Sequence, residues 1–324
     1  MNLDTRLTSL LGIKYPVMSA PMSMHSGATL AAAVTHAGGV GMFGAIGSGG
    51  ESWFRAELAK AKSLLGDKPY GVGFITFLME SMPHLFDIAI EEKVPVMAFS
   101  FADPAPYIER ARNAGAVTIC QVRNMQQAEE AVAAGTDILV AQGNEAGGHT
   151  GETNLMPFLL RILDSYPDLP VLAAGGIASG RGLAAVLATG ADGAWIGTPL
   201  LATPECVEIS DDYKSRLVAA SADDTLFTPL FDVANNQAFG GVAWPEGIAA
   251  RVLKNEFTRK WHTRVDEVTS DNESLMSQYR EDVQNRNLDV SVVYAGESVQ
   301  HINEIQPAGT IIQNICAEAE KLLS

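Results

Sequence analysis

A single histidine in a glycine-rich loop is the residue of this chain best suited to acid–base chemistry. His149 lies within Gln142–Gly151, where four of the ten residues are glycine. Imidazole changes its charge near neutral pH and can take up or release a proton during a reaction. Glycines allow a loop to lie close to a flat or anionic ligand. We predict that His149 is a catalytic base; the alternative is a loop histidine bonded only to backbone.

A glycine turn further along the chain is suited to bind a phosphate. A predicted strand runs directly into Gly175 and Gly176, and Ser179 can cap the helix that follows. The N–H groups at such a turn and helix start favour an anion. One strand–helix unit later, Gly197 and Thr198 end a second strand and can close the same cradle. Because the loops after strands seven and eight of α/β barrels commonly hold phosphate, we predict a phosphate site here rather than an ordinary turn.

Eight short apolar segments, each followed by a helix-like stretch, can position these loops. The segments are continuously apolar, as parallel strands buried on both faces are. The predicted strands are Val17–Ala20, Val40–Ala45, Tyr70–Thr76, Val94–Phe99, Val117–Gln121, Ile138–Ala141, Val171–Ala174 and Ala194–Gly197. Eight such steps in about 200 residues favour a closed (β/α)8 TIM barrel over an open doubly wound sheet. His25 follows the first strand and could also reach the site.

The repeat stops after Thr198, and the chain then changes character. Residues 201–300 contain 17 acidic and 9 basic side chains. A final amphipathic stretch, Ala308–Leu323, returns to helical periodicity and can supply the last helix of the barrel. We therefore predict that residues 1–200 and 306–324 form the barrel and that residues 201–305 form an inserted, mainly helical lid or substrate domain. Three aromatic residues either shape the pocket from this insert or only anchor it: Phe231, Phe239 and Trp244.

Charge and cysteine content exclude several classes of function. Among 324 residues, 22 are Lys or Arg and 38 are Asp or Glu, which gives a net charge of −16. Nucleic-acid and anionic-membrane binding need clustered basic residues, so neither partner is expected. The three cysteines form no Cys-x-x-Cys motif, and no apolar stretch approaches the ~18 residues of a membrane span. No secretion signal is evident, so a soluble cytoplasmic protein is expected, and a homo-oligomer is left open.

Several segments together resemble the nitronate monooxygenase family, also called 2-nitropropane dioxygenases. The related flavin-dependent enoyl-acyl-carrier-protein reductases share much of the pattern. The similar segments within positions 12–200 are Tyr15–Met22, Ala37–Gly41, Gln142–Gly151, Ala174–Ala178 and Gly190–Thr198. Near the C-terminus, Tyr294–Ser298 is similar to a further family segment. The resemblance implies a barrel that binds FMN non-covalently.

The resemblance also implies which residues contact FMN. Contacts along the flavin ring are implied for Ala20, Pro21, Met22, Gly44, Gln121, Gly147 and Gly148. Phosphate contacts are implied for Gly175, Gly176, Gly197 and Thr198. His149 would be the catalytic base that faces the flavin. Gly73 departs from the family, since many members carry asparagine there, so an expected amide contact is missing.

The favoured hypothesis is the oxidation of alkyl nitronates or nitroalkanes by FMN and dioxygen to a carbonyl compound and nitrite. His149 would remove the α-proton of a neutral nitroalkane or, as imidazolium, pair with a nitronate. One alternative is an NAD(P)H-dependent flavin reductase of quinones or enoyl thioesters, which would use the same barrel. The net charge weighs against an acyl-carrier-protein substrate, which is itself acidic. A second alternative is a non-enzymatic flavin- or phosphate-binding sensor that contacts a partner through residues 201–305.

Overall fold

The computed structural model describes residues 3–241, 243–269 and 271–324. In chain order the strands are β1 (Val17–Ser19), β2 (Gly41–Gly44), β3 (Tyr70–Ile75), β4 (Val96–Ser100), β5 (Val117–Val122), β6 (Ile138–Gln142), β7 (Gly148–Thr150), β8 (Val171–Ala174), β9 (Gly193–Ile196), β10 (Thr225–Thr228) and β11 (Ala249–Leu253). Eight of them pair in parallel in the order β1-β9-β8-β6-β5-β4-β3-β2. A parallel bridge between Met18 and Val40 joins the two ends of this sheet and closes it. The predicted TIM barrel and its eight strands are confirmed.

Helices connect and cover the barrel strands, and further helices lie in the segment 201–305. They are α1 (Arg6–Leu11), α2 (Ala28–Ala37), α3 (Gly50–Leu65), α4 (Pro83–Glu91), α5 (Ala105–Asn113), α6 (Met125–Ala133), α7 (Leu155–Ser165), α8 (Gly180–Ala188), α9 (Thr198–Leu201), α10 (Asp211–Val218), α11 (Leu230–Phe239), α12 (Glu256–Trp261), α13 (Glu273–Gln284) and α14 (Ala308–Leu323). Single 3-10 turns lie at Thr76–Leu78, Ala222–Asp224, Val265–Glu267 and Glu297–His301. The last helix has the predicted bounds and packs against α2 and α8, which places it in the outer layer of the barrel. Among the described residues, no helix combines the length and apolar character needed to cross a membrane.

Both faces of the barrel strands are buried, which explains their continuous apolar sequence. Alternate side chains of β4 show this: Val96 and Ala98 lie in the barrel interior, whereas Met97 and Phe99 pack beneath the helices. Leu7 of α1 belongs to the interior cluster. The interior is therefore filled with side chains, as in other barrels of this size, and leaves ligands to the loops at its end.

The segment 201–305 adds a second small sheet as well as helices. The antiparallel strands β10 and β11 extend β7, which belongs to the histidine loop, in the order β10-β11-β7. The prediction of a mainly helical segment missed these two strands. This segment also has an apolar cluster of its own, which includes Leu230, Phe231, Val252, Phe257 and Tyr279. Phe231 is fully buried there and so anchors the segment. The division of the chain into a barrel and an inserted domain stays a prediction.

Two carboxylates lie together where α2 begins. Glu57 of α3 accepts a hydrogen bond of 2.5 Å from the N–H of Ala28. A methyl group added at Gly27 would meet the carboxylates of both Glu57 and Glu208. Oε2 of Glu208 is buried and has no hydrogen-bond partner among the described residues. Burial, and then the charge of Glu57, raise the pKa of Glu208.

We expect Glu208→Gln to raise the free energy of unfolding when the pH is above the raised pKa of Glu208, and to change it little at acidic pH. A carboxyl group whose pKa is raised by folding favours the folded state while it is protonated, and this contribution is lost as the pH rises through the folded-state pKa. Glutamine keeps the neutral form at every pH. Denaturant unfolding at about pH 4 and about pH 8 should show a gain only at the higher pH, of less than about 1 kcal/mol because the side chain is partly exposed to solvent. The exposed Glu109→Gln is the control, and an equal gain for both variants would contradict the assignment.

Candidate active site

A cavity of about 430 Å³ opens at the carboxyl-terminal ends of the barrel strands. This is the end at which barrel enzymes bind their substrates, and the volume suits a small-molecule site. Eleven of the twelve predicted site residues line the cavity: Ala20, Pro21, Met22, Gln121, Gly147, Gly148, His149, Gly175, Gly176, Gly197 and Thr198. The twelfth, Gly44, lies behind Ser23, whose Oγ would be 2.3 Å from an added Cβ. The structure therefore brings the predicted set together except for Gly44.

One end of the cavity has the properties of an anion cradle. Gly175 and Gly176 have φ angles of 106° and 70°, a left-handed region that glycine adopts without strain. Within the described chain, neither residue donates its N–H to a protein acceptor. A Cβ added at Gly175 would lie 2.9 Å from the backbone nitrogen of Ala146, so a side chain there would close the cradle. Successive free N–H groups in such a turn are a general anion-binding arrangement.

Thr198 closes the cradle from the other side. It is the first residue of the short helix α9, whose N-terminus favours negative charge. Its Oγ1 accepts a hydrogen bond of 3.0 Å from the N–H of Gly296, so the hydroxyl hydrogen is left to donate. A Cβ added at Gly147 would lie 2.3 Å from that same nitrogen, which explains the glycine in the histidine loop. The cradle is thus assembled from β8, β9, the histidine loop and the segment before α14.

The loop after β1 forms a second wall of the cavity. A Cβ added at Gly197 would lie 3.4 Å from Cβ of Ala20 and 3.5 Å from Sδ of Met22, so this wall meets the cradle. A Cβ added at Gly73 would lie 2.2 Å from Cγ of Pro21. The proline ring therefore occupies the space that an asparagine side chain would need. This contact gives a physical reason for the glycine at position 73.

His149 lies on β7 and is held by a carboxylate from the segment 201–305. Its Nε2 lies 2.8 Å from Oδ1 of Asp232, and the two side chains are 11% and 15% exposed. Asp232 is in the first turn of α11, where the helix N-terminus favours an anion. An ionised Asp232 accepts the proton of Nε2, and the neutral ring then keeps its free lone pair on Nδ1. That is the form a general base requires.

Aromatic side chains enclose the imidazole. Trp244 stacks on His149 with ring centroids 3.4 Å apart and planes within 10°. The ring of Phe101 is nearly perpendicular to both rings, at centroid distances of 5.0 Å from Trp244 and 6.4 Å from His149. Phe101 has a φ of 79°, a strained backbone conformation of the kind found at functional sites. Tyr294 lies 5.8 Å from the imidazole on another side. Trp244 thus shapes the pocket, one of the two roles considered for it.

His25 also lines the cavity, as its place after β1 suggested. Its Nδ1 lies 3.0 Å from the carbonyl oxygen of Ser23. Its ring packs 5.3 Å from Tyr294 and 5.7 Å from Tyr213. Burial lowers the pKa of His25, so the imidazole is neutral at neutral pH. His149 remains the only histidine of the described cavity wall that is paired with a carboxylate.

Sequence reasoning did not find Asp232 and Phe101. Asp232 lies 83 positions after His149, in a segment without any motif, and only the pairing of β7 with β11 brings that segment close. Phe101 follows a buried strand as many apolar residues do, and its unusual φ cannot be seen in a sequence. Among the described residues, no cluster of three or more His, Cys, Asp or Glu side chains is placed to hold a metal ion.

A family model described as nitronate monooxygenase matches residues 4–89 and 79–318. The chain belongs to the nitronate monooxygenase family. A member from Paraburkholderia phytofirmans, named nitronate monooxygenase, is 33% identical over 300 residues, which are 78% of this chain and 77% of that protein. The solved structure of FabK from Thermotoga maritima has a TM-score of 0.83 and 33% identity, and the match covers 99% of this chain and 97% of FabK.

A Rhodococcus jostii protein is 37% identical over 231 residues, or 71% of this chain. It is named (3aS,4S,5R,7aS)-5-hydroxy-7a-methyl-1-oxo-octahydro-1H-indene-4-carboxyl-CoA dehydrogenase, and the match spans only 64% of its length. The family model and the Paraburkholderia phytofirmans relative confirm the resemblance to the nitronate monooxygenase family. Together with the barrel, it identifies an oxidoreductase with the fold of flavin-dependent enzymes.

Proposed function

We propose that this family member is an FMN-dependent nitronate monooxygenase that converts alkyl nitronates or nitroalkanes and dioxygen into carbonyl compounds and nitrite. The observation that carries the proposal is the meeting, in one cavity, of the His149–Asp232 pair with the anion cradle. The cradle suits the phosphate of a flavin nucleotide, and the pair suits removal of an acidic C–H proton. The family supports the same activity.

The residues of the cavity fit FMN in hydrogen-bonding character. Gly175, Gly176 and Thr198 would hold its phosphate through N–H and hydroxyl donors. Gln121 accepts a hydrogen bond of 2.7 Å from Ser100 at its Oε1, so its Nε2 is left to donate to a ring oxygen. Oε1 of Gln142 is buried and has no partner among the described residues, so it offers an acceptor to a ring N–H. When bound, FMN supplies electron acceptance and the reaction with dioxygen.

The protein groups around His149 would accept the α-proton of the substrate and stabilise the charge that results. Nδ1 of His149 would take the α-proton of a neutral nitroalkane, and Asp232 would hold the ring and stabilise the imidazolium that forms. With a preformed nitronate, the imidazolium would instead pair with the anion. Trp244 and Phe101 would exclude water, so these charge interactions act in a medium of low dielectric constant.

A reductase of thioesters or quinones is the second candidate. The Rhodococcus jostii relative is named as a dehydrogenase of a carboxyl-CoA compound, which supports a CoA thioester as the substrate class but does not name a reduction. Coenzyme A and dinucleotides carry several phosphates, which proteins usually bind with arginine or lysine. None of the described residues that line the cavity is lysine or arginine. A small nitronate does not require such a cluster, so the lining favours the nitronate function.

An anaerobic visible spectrum of the purified protein, before and after addition of propyl nitronate, tests the proposal. We expect a flavin spectrum that bleaches with nitronate, recovers in air and is accompanied by nitrite release. A flavin that is bleached by NADPH but not by nitronate would replace the proposal with the reductase. Colourless protein that FMN cannot reconstitute would exclude both functions.

The cradle makes a separate prediction about cofactor affinity. Thr198→Val keeps the branched shape but removes the hydroxyl, so we expect the Kd for FMN to rise by about tenfold, the usual cost of one hydrogen bond to a charged group. Thr198→Ser keeps the hydroxyl and should bind FMN nearly as the parent does. Quenching of FMN fluorescence on reconstitution measures both values. Equal affinities for the valine and serine variants would remove Thr198 from the cradle.

A further inference from the structure

Arg123 is a buried cation to which the proposed function gives no role. It follows β5 directly and is only 3% exposed. Its Nη1 has no hydrogen-bond partner within the described residues. Burial alone lowers the pKa of Arg123, to about 10, so the group stays charged at neutral pH and no described carboxylate compensates it. By contrast Arg251, also buried near the histidine loop, is paired with Glu297 at 3.3 Å.

Arg123 lies behind the wall of the cavity at its His149 end. Its guanidinium carbon is 4.6 Å from the centroid of the Phe101 ring, and Phe101 lines the cavity. The Phe101 centroid is 6.4 Å from that of His149, so these two distances limit the separation of the Arg123 charge from the imidazole to about 11 Å. A Cβ added at Gly151, where the histidine loop ends, would lie 3.2 Å from Cβ of Arg123. The cation is thus fixed beneath the loop that carries His149.

The described lining of the cavity has no permanently positive side chain of its own, so the position of the Arg123 charge near it affects how an anion binds. The described lining contains one carboxylate, Asp232, and neither lysine nor arginine, and the chain as a whole has a net charge of −16. An anion that enters would meet repulsion from these charges. An unpaired buried cation is costly to maintain, and the ring of Phe101 offsets only part of that cost. Because the wall between Arg123 and the cavity is protein rather than water, the field of the cation is weakly screened there.

We propose that Arg123 is a positioning residue that draws a small planar oxyanion to the His149 end of the cavity, acting through the Phe101 wall. The identification of that anion as a nitronate rests on the proposed function, whereas the preference for an anion over a neutral molecule of the same shape does not. With an effective dielectric constant of about 20, a unit charge about 11 Å from an anion, the limit derived for the imidazole, changes the affinity for that anion roughly tenfold.

Acetate and acetamide test this preference, because they have the same shape and differ in charge. Calorimetric titration of the holoprotein with each probe gives the ratio of their affinities. We expect Arg123→Met and Arg123→Gln to bind acetate roughly tenfold more weakly than the parent, with acetamide unchanged. Arg123→Lys keeps the charge and should stay within about threefold of the parent. Two neutral variants are used so that one that fails to fold does not remove the test.

Three results would overturn the proposal. The first is a parent protein that does not bind acetate more tightly than acetamide. The second is a neutral variant that binds acetate within about twofold of the parent. The third is an equal loss of affinity for acetate and for acetamide, which would mean that Arg123 only supports the wall. The proposed function is tested apart from this. An Arg123-dependent preference for acetate in a protein that does not oxidise propyl nitronate would retain the anion site and reject the nitronate activity. If the parent oxidises propyl nitronate but the neutral Arg123 variants bind acetate as the parent does, the nitronate activity would be retained and the anion site rejected.

Discussion

Replacing His149 by alanine should lower kcat/KM for a neutral nitroalkane such as nitroethane by about 10²- to 10⁴-fold, the usual contribution of a positioned general base. The imidazole is nearly buried, stacked on Trp244 and bonded to Asp232, so water cannot readily take its place. Oxidation of preformed propyl nitronate should fall much less, by roughly tenfold, since its proton has already been removed and only a charge-assisted contact is lost. The base assignment thus predicts a difference between the two substrates.

Nitrite release measures both reactions, and the visible spectrum of each preparation shows whether FMN is bound. His36→Ala, on the exposed surface of α2, is the control for a histidine substitution outside the site. Added imidazole should restore part of the nitroethane activity of His149→Ala, because the substitution leaves space where the ring stood. A flavin-loaded His149→Ala protein that oxidises nitroethane at the parental rate would remove the assignment. Equal losses with nitroethane and with nitronate would show that His149 acts in binding rather than as a base.

The barrel was predictable because its strands carry a strong local signal. Residues such as Val171–Ala174 are apolar without alternation, and the structure buries both of their faces. The small sheet was not predictable for the opposite reason. Its strand β7 is only three residues long, includes Gly148, and pairs with β11 about 100 positions later. Ala249–Leu253, which forms β11, contains two alanines and a leucine that suit a helix equally well.

The residues of the candidate site also include some that the sequence predicts and some that it does not. Gly175 and Gly176 stand out in the sequence because a tight turn and a close approach to a ligand both require glycine, and the structure places them at the cavity. Gly44 does not line the cavity, and an added Cβ there would lie 2.3 Å from Oγ of Ser23, so its contact with the flavin stays a prediction. Asp232 could not be found because the meeting of α11 with the histidine loop is decided by tertiary packing. The sequence around an aspartate does not indicate which histidine its carboxylate will contact in the folded protein.

Replacing Asp232 by asparagine should lower kcat for nitroethane by about 10²-fold, although the side chain itself touches no reacting atom. An amide can offer its N–H to Nε2 of His149, which would place the ring proton on Nδ1 and remove the lone pair that the base needs. Loss of the partner that sets a histidine tautomer costs about 10⁴-fold in a serine protease triad, and a site that relies on one pair should lose less. KM should change little, since the cavity keeps its shape.

The double variant decides whether Asp232 acts through His149. If it does, Asp232→Asn should have almost no further effect on nitroethane oxidation once His149 is alanine, because the group that it positions is gone. An independent role in folding or FMN binding would instead lower activity by a similar factor in both backgrounds. The carboxylate lies 2.8 Å from Nε2, and its second oxygen has no partner among the described residues, so the imidazole is the contact through which a catalytic effect would pass. Additive losses in the double variant would assign Asp232 to the stability of the cavity and leave His149 as a base without a partner.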